Sequence, residues 1–309
     1  MIKAPPTPKG FRDIKPELAK KRREVINKIA SVLEEAGFVP IETPTIEFAE
    51  TLEGKYGEEE RLIYKFTDRG GRKLALRYDL TVPLARYVAT YNPPLPFRRY
   101  QIGQVFRGEN PQKGRFREFT QVDFDSVGSS NGEEDALIVA VTIKCMRDLG
   151  FKEAIMLVND RANFTNLPVE VVRAIDKINK IGEEGVLQEL VDGGIPKTEA
   201  RDTITKIRSQ KPTENLEQIF KVLKENFGLA EGTDFMFDPT LARGLDYYTG
   251  AIFELKADQE PTPLSVGGGG RYDNLIGSFS KKEHLPAGRQ VPAVGFSFGL
   301  DRLLEILYP

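Results

Sequence analysis

Residues 98 to 128 read RRYQIGQVFRGE, then NPQKGR, then FREFTQVDFDSVG. Two strand-like runs flank a loop that carries Pro, Lys, Gly and Arg, a pattern that predicts a long antiparallel hairpin. Such a hairpin commits the chain to an antiparallel sheet and raises the question of what covers its two faces. At the two-residue period of a strand, Gln121, Asp123 and Asp125 share one face, while Val122 and Phe124 take the other. The polar row is either the wet face of a half-exposed sheet or the floor of a site. In a site, its neighbouring arginines would take phosphate through bidentate forks. Its carboxylates would take a cationic ligand.

The rest of the chain surrounds that hairpin with alternating elements. Leu18, Val25, Ile29 and Leu33 recur at helical spacing, and Gly37 stops a helix expected over residues 15 to 36. FVPIETPTIEF follows, β-rich but with Pro40 and Pro44, so an edge or interface strand is expected. KLALRYDL (Lys73 to Leu80) alternates like a strand and runs into TVPLARYVATY, a helix with Pro83 in its first turn. Residues 133 to 149 read as a helix, AIMLVND as a short strand, and about 165 to 228 as helical segments. DFMFDPTLARGLDYYTGAIFELKA, PLSVGGGGRYD and VPAVGFSFG return to strands, and LDRLLEILYP closes the chain as a short amphipathic helix. Hairpin-joined strands with helices to the side imply an α+β fold with a mainly antiparallel sheet, interrupted by a helical insertion. The expected division is 1–152 for the first part of the core, 153–230 for the insertion, and 231–309 for the second part.

Composition narrows the chemistry. The 309 residues are 40% hydrophobic and 29% charged, the balance of a soluble globular protein. No apolar run approaches the roughly 20 residues that span a bilayer. MIKAPPTPKGFRD lacks the apolar core of a signal peptide, so a cytoplasmic location and no membrane partner are expected. The single cysteine, Cys145, excludes an internal disulfide and a multi-cysteine zinc site. The single histidine, His284, excludes a multi-histidine metal site and would carry any Ser-His-Asp mechanism alone. Carboxylates, guanidinium groups and tyrosines are therefore the expected reagents. The net charge of -2 argues neither for nor against nucleic acid.

Three further stretches carry candidate chemistry. ARGLDYYTG (Ala242 to Gly250) holds Arg243, Asp246, Tyr247 and Tyr248; as a strand it would turn its adjacent tyrosines to opposite faces, leaving one to line a site. A polar strand end and a binding floor fit it equally well. GFSFGLDRLL places Arg302 at a helix start, where an isolated arginine is commonly solvated. SVGGGGRYD suggests a nucleotide loop only weakly, because the chain has no GxxxxGK[ST] pattern and no acidic residue at Rossmann spacing. GEEE (Gly57 to Glu60) reads as a solvated loop tip.

Together these stretches resemble the catalytic domain of a class II aminoacyl-tRNA synthetase, specifically a histidine–tRNA ligase. PKGFRDIKP resembles the family's N-terminal signature and GFVPIETPTIEF the dimer-forming first motif, with Pro44 as its proline. FRGENPQKGRFREFTQVDFD resembles the second motif and GFSFGLDRL the third. RYDLTVPLARY and ARGLDYYTG resemble the two elements peculiar to the histidine enzymes, and the likeness runs from about residue 8 to 307.

The resemblance implies the class II catalytic fold, with histidine, ATP and tRNA(His) as partners, Mg²⁺ as the accompanying ion, a homodimer, and no DNA. It implies that Arg107, Glu109, Arg115, Phe119 and Arg302 bind ATP, with the Phe119 ring on adenine. Asp79, Thr81 and Gln121 would bind the α-ammonium of histidine, and Asp125 and Tyr248 the imidazole. Tyr272 and Tyr247 would belong to the same pocket, Tyr247 in a packing role. Arg243 would act as the catalytic arginine between amino-acid carboxylate and α-phosphate, with Arg107 beside it in the catalytic set. No metal ligand is singled out.

The likeness departs in two places. Histidine–tRNA ligases continue past the third motif into an anticodon-binding domain, whereas this sequence ends seven residues after Arg302, and HLPAGRQ (His284 to Gln290) reads as an extra exposed loop. The alternative is therefore the synthetase-like regulatory subunit of ATP phosphoribosyltransferase, a histidine sensor. A sensor has no use for Arg107, Arg243 and Arg302 together, so their joint presence favours the enzyme.

Overall fold

The computed structural model describes residues 5–111, 115–242, 247–257, 264–279 and 290–308. Its centre is an eight-stranded sheet in the order β1-β5-β6-β11-β10-β9-β7-β8. These strands are β1 (Val39–Pro40), β5 (Phe97–Phe106), β6 (Glu118–Val127), β7 (Ala154–Asp160), β8 (Phe235–Phe237), β9 (Ala251–Ala257), β10 (Leu264–Arg271) and β11 (Ala293–Gly299). Only β1–β5 and β7–β8 pair in parallel, so the sheet is mainly antiparallel. A small second sheet has the order β2-β4-β3, from β2 (Ile46–Phe48), β3 (Lys65–Thr67) and β4 (Lys73–Leu76).

The hairpin β5–β6 pairs Phe97 with Val127 through to Phe106 with Glu118 without a register break. That register decides which side chains meet. Val122, Phe124, Phe253, Leu255, Phe296 and Phe298 turn to one face and form one core. They pack against α1 (Pro16–Glu35), α4 (Gly132–Leu149), α8 (Glu214–Phe227) and α9 (Leu300–Leu307), whose apolar residues lie in the same cluster. The intervening residues face the opposite side. There a second core gathers α2 (Ala49–Leu52), α3 (Thr81–Tyr91), α5 (Val169–Ile175), α6 (Ile178–Asp192) and α7 (Lys197–Arg208).

Local chemistry accounts for the helix ends. α1 begins with Pro16, whose missing N–H falls where the helix has no acceptor for it, and the chain turns out at Gly37 with φ of 84°. α4 starts at Asn131, whose side chain accepts the Glu133 N–H at 3.1 Å, and ends at Gly150 with φ of 93°. Asp79 caps α3 by accepting the Val82 N–H at 3.0 Å. That cap fixes a carboxylate at the sheet surface.

Two expectations change. Residues 38 to 48 do not form one strand: the proline-bearing stretch splits into β1 at the edge of the large sheet and β2 in the small one. Thr249 and Gly250 precede β9 in irregular backbone, so Tyr247 and Tyr248 do not alternate across a strand. Arg243 to Asp246, and His284 with the loop that holds it as far as residue 289, lie outside the described residues.

Candidate active site

A cavity of about 650 Å³ opens over the polar face of the central sheet. Its floor follows the strand register. Gln121, Asp123 and Asp125 on β6 stand opposite Gly299, Ser297 and Gly295 on β11, and Gly268 and Gly270 on β10 continue two of these rows. The glycines supply space. A Cβ on Gly295 would lie 1.9 Å from Asp125 Oδ1, and one on Gly270 would lie 2.8 Å from the Tyr248 ring. The GGGG run is thus strand β10, with Gly267, Gly268 and Gly269 lining the cavity, and not a nucleotide loop.

Asp79, Thr81, Gln121, Asp125, Tyr247, Tyr248 and Tyr272 all line this cavity, as do Arg107, Glu109, Arg115, Phe119 and Arg302. Both adjacent tyrosines therefore face it, against the expectation that only one would. Their rings stand 4.9 Å apart, and Tyr247 meets Tyr272 at 6.0 Å. Arg243, expected to be the catalytic arginine, lies outside the described residues, four positions before Tyr247.

One part of the cavity is acidic and aromatic. Asp125 is buried and pairs with the fully buried Arg99, whose Nη2 lies 2.6 Å from Oδ2 in an ion pair without hydrogen-bond alignment. The Tyr272 hydroxyl donates to the other Asp125 oxygen. Burial raises the Asp125 carboxyl above the usual range, and the Arg99 charge opposes that rise. Asp79 accepts from the Tyr56 hydroxyl at 3.0 Å and from Val82 N–H through Oδ1, while its buried Oδ2 has no partner. Gln121 donates to Ser297 Oγ at 2.9 Å and likewise leaves a buried Oε1 unpartnered. Two orphaned oxygens are what a cationic group would complete.

The other part is cationic. The Arg107 guanidinium carbon lies 4.4 Å from the Tyr78 ring centroid and 5.1 Å from that of Phe119, and its Nε donates to Tyr78 O at 3.2 Å. Arg115 pairs with Glu109 at 3.2 Å. Arg302 donates to Ser265 O at 2.6 Å. Burial, and then the like charge of Arg115, lowers the pKa of Arg302, so an anion here would relieve both burial and repulsion. β11 connects the two parts: Gly295 pairs with Asp125, Gly299 pairs with Gln121, and Arg302 follows in α9. Four residues of strand put Asp125 and Gln121 about 13 Å apart.

Several features in and around the cavity escape a reading of the sequence. Arg99 reads as an ordinary strand residue, yet it is wholly buried on the polar face, directly opposite Asp125. Asp123 and Gln121 are buried too, so the polar row is not a wet face. Glu59, in the expected loop tip, sits in a short 3-10 helix (Gly57–Leu62), accepts from the Tyr78 hydroxyl and lines the cavity. Glu254 and Lys256 add charged groups from β9, and Asp176, Asn179 and Lys180 reach the cavity from the α5–α6 junction. The period-two pattern of IFELKA is the only signal that could have found the β9 pair.

A family model described as histidyl-tRNA synthetase matches residues 10–167 and 186–303. The chain belongs to the histidyl-tRNA synthetase family. It is 44% identical to the histidine–tRNA ligase of Aeropyrum pernix, over 97% of this chain and 74% of that protein. It is 42% identical to that of Nanoarchaeum equitans, over 97% of this chain and 73% of that protein. Among solved structures, the histidyl-tRNA synthetase from Nostoc sp. PCC 7120 aligns with a TM-score of 0.78 at 28% identity, covering 98% of this chain and 75% of that one. The sheet topology is that of the class II catalytic fold. No helix among the described residues is long and apolar enough to cross a membrane.

Proposed function

We propose that the chain acts as a histidine–tRNA ligase, activating histidine with ATP and passing it to the 3′ end of tRNA(His). The observation that carries this reading is one cavity with an arginine cluster at one part and two unpartnered acceptor oxygens at the other. The arginines suit a triphosphate. The oxygens suit an ammonium. Family membership makes histidine and ATP the pair to place there.

In the first step a carboxylate oxygen of histidine forms a bond to the α-phosphorus of ATP, and the bond to pyrophosphate breaks. In the second, a ribose hydroxyl of the terminal adenosine attacks the acyl carbon and AMP leaves. The first step calls for positioning and charge stabilisation more than for a protein nucleophile. Arg107 and Arg302 would hold phosphates, with Glu109 and Arg115 placing the nucleotide and Phe119 meeting the adenine. Asp79, Thr81 and Gln121 would hold the α-ammonium, with Asp125 and Tyr248 beside the imidazole and Tyr247 and Tyr272 closing the pocket. Arg243 would bridge carboxylate and α-phosphate on the strength of the resemblance.

Mg²⁺ would enter with ATP. Among the described residues no group of three or more His, Cys, Asp or Glu side chains is arranged for a metal. Magnesium commonly takes substrate phosphates with one or two carboxylates and keeps several waters. Glu109 and Glu254, both on the cavity wall, suit that limited role.

A homodimer would use the face that carries the proline-bearing strands. Val39, Ile46, Phe48 and Phe66 are 40 to 51% exposed there, on β1 and the small sheet. The helices between β7 and β8 would form an insertion spanning 153–230, with cytoplasmic residence following from the activity. The test is charging of tRNA(His) with histidine by the purified chain. Histidyl-tRNA supports the proposal; histidine binding without charging or activation supports the sensor.

A further inference from the structure

Gln121 lines the cavity with its Oε1 buried and unpartnered, and the reason lies in the contact that its amide nitrogen makes. Ser297 stands opposite Asp123 in the β6–β11 register, and its hydroxyl donates to Asp123 Oδ1. The Gln121 amide nitrogen in turn donates to Ser297 Oγ at 2.9 Å. Thr81 Oγ1 reaches the other Asp123 oxygen at 3.4 Å. We propose that Asp123 and Ser297 are positioning residues that hold the Gln121 amide with Oε1 toward the α-ammonium of the bound amino acid. This rests on the reading above, that the cavity binds histidine.

The argument is one of donor and acceptor capacity. An ionised carboxylate only accepts, so the single hydroxyl proton of Ser297 is committed to Asp123. Ser297 then has only lone pairs to offer Gln121, and an amide meeting a lone pair must present its NH₂. The oxygen is left pointing away, and it is buried without a partner, as is Asp79 Oδ2. Both unpartnered atoms are acceptors, so the subsite is selective for a donor with positive charge. Reversing the amide would aim N–H groups at an ammonium, a repulsive arrangement. Asp123 stays anionic under assay conditions above neutrality, because burial raises its carboxyl only to about 7 while Arg99 opposes the rise.

Asp123 need not touch the ligand, whereas Ser297 itself lines the cavity. Asp123 is absent from the cavity lining, and its effect passes through Ser297 and Gln121. The register explains why the device sits here. Ser297 is the one β11 residue on this face that is not glycine between Gly295 and Gly299.

The test is histidine-dependent ATP–pyrophosphate exchange at pH 8 with wild type, Ser297→Ala, Ser297→Thr, Gln121→Ala and the Ser297→Ala/Gln121→Ala double variant. Ser297→Ala should raise KM for histidine about tenfold, as expected for one hydrogen bond to a charged group. Its KM for ATP and its kcat should stay within about twofold of wild type, since the change acts on binding of the ammonium alone. Ser297→Thr, which keeps the hydroxyl, should return histidine KM toward wild type. The double variant should be no worse than Gln121→Ala, since the two residues act through one contact.

Calorimetry supplies an independent arm. Ser297→Ala should weaken histidine but leave imidazolepropionate, which lacks the ammonium, unchanged. Additive effects in the double variant, or equal loss for both ligands, would overturn the proposal. Absence of exchange by the wild-type chain would instead overturn the histidine-ligase reading itself.

Discussion

The two faces of the central sheet are built from alternate residues of the same strands, yet they solve opposite problems. On one face Phe124 meets Phe38 at 5.5 Å and Phe296 and Phe298 at 6.0 Å, in a dry cluster against α1, α4 and α9. On the other, Asp123 and Asp125 are buried beside Arg99, glycines leave space, and buried oxygens go unpartnered. Dense packing supplies stability on the first face. The second holds desolvated charge that opposes folding and has a use only when a ligand completes it. Function here depends on a floor whose cost is offset one residue away.

Substitutions on the two faces should therefore separate stability from catalysis. Phe124→Ala should cost about 3 to 5 kcal/mol of stability, read from urea unfolding, while leaving KM for histidine in the folded protein near wild type. A shifted KM with intact stability would erase the distinction. Arg107→Ala should lower exchange roughly 100- to 1,000-fold with little change in unfolding, and Arg107→Lys should recover little because an ammonium lacks the fork. The resemblance predicts the same pair of results for Arg243→Ala and Arg243→Lys.

A third substitution crosses from floor to ligand. Gly295→Ala puts a methyl 1.9 Å from where Asp125 Oδ1 now lies, so the carboxylate must move. Overpacking of this kind costs about 1 to 3 kcal/mol, and histidine affinity should fall with it. Unchanged affinity in titration calorimetry would remove Asp125 from the pocket.

A further effect depends on pH. The Asp123 carboxyl is raised by burial from 3.8 to about 7 in the folded protein. Between those values the folded state holds a proton that the unfolded chain has released, so this group's contribution to stability falls as pH rises through that window. Asn at this position does not titrate. Asp123→Asn should gain thermal stability relative to wild type between pH 4 and 7 and hold that gain above it. A constant difference across the window would contradict the burial of this charge.

Much of this is legible in the sequence. The alternation of TQVDFD placed polar and apolar residues on opposite faces because strand periodicity is local. The burial of the polar row was not legible, since it depends on helices brought over the sheet from distant sequence. Arg99 illustrates the gap: its neighbour Arg98 pairs with Glu134 on α4, while Arg99, on the opposite face, is buried against Asp125. Gly267, Gly270 and Gly295 lie in runs that read as strands, but their role is steric and emerges only once β9, β10 and β11 lie side by side. The tyrosine pair departs from the expected alternation for a local reason. Its backbone from Tyr247 to Gly250 is irregular, so strand alternation does not hold there.

The central claim is that the polar face is an adenylating site for histidine. Its most direct measurement is exchange of labelled pyrophosphate into ATP by the purified chain, with and without each amino acid. The account predicts exchange that requires histidine and falls roughly 100- to 1,000-fold in Arg107→Ala. Exchange that is absent, or that proceeds equally with other amino acids, would contradict it.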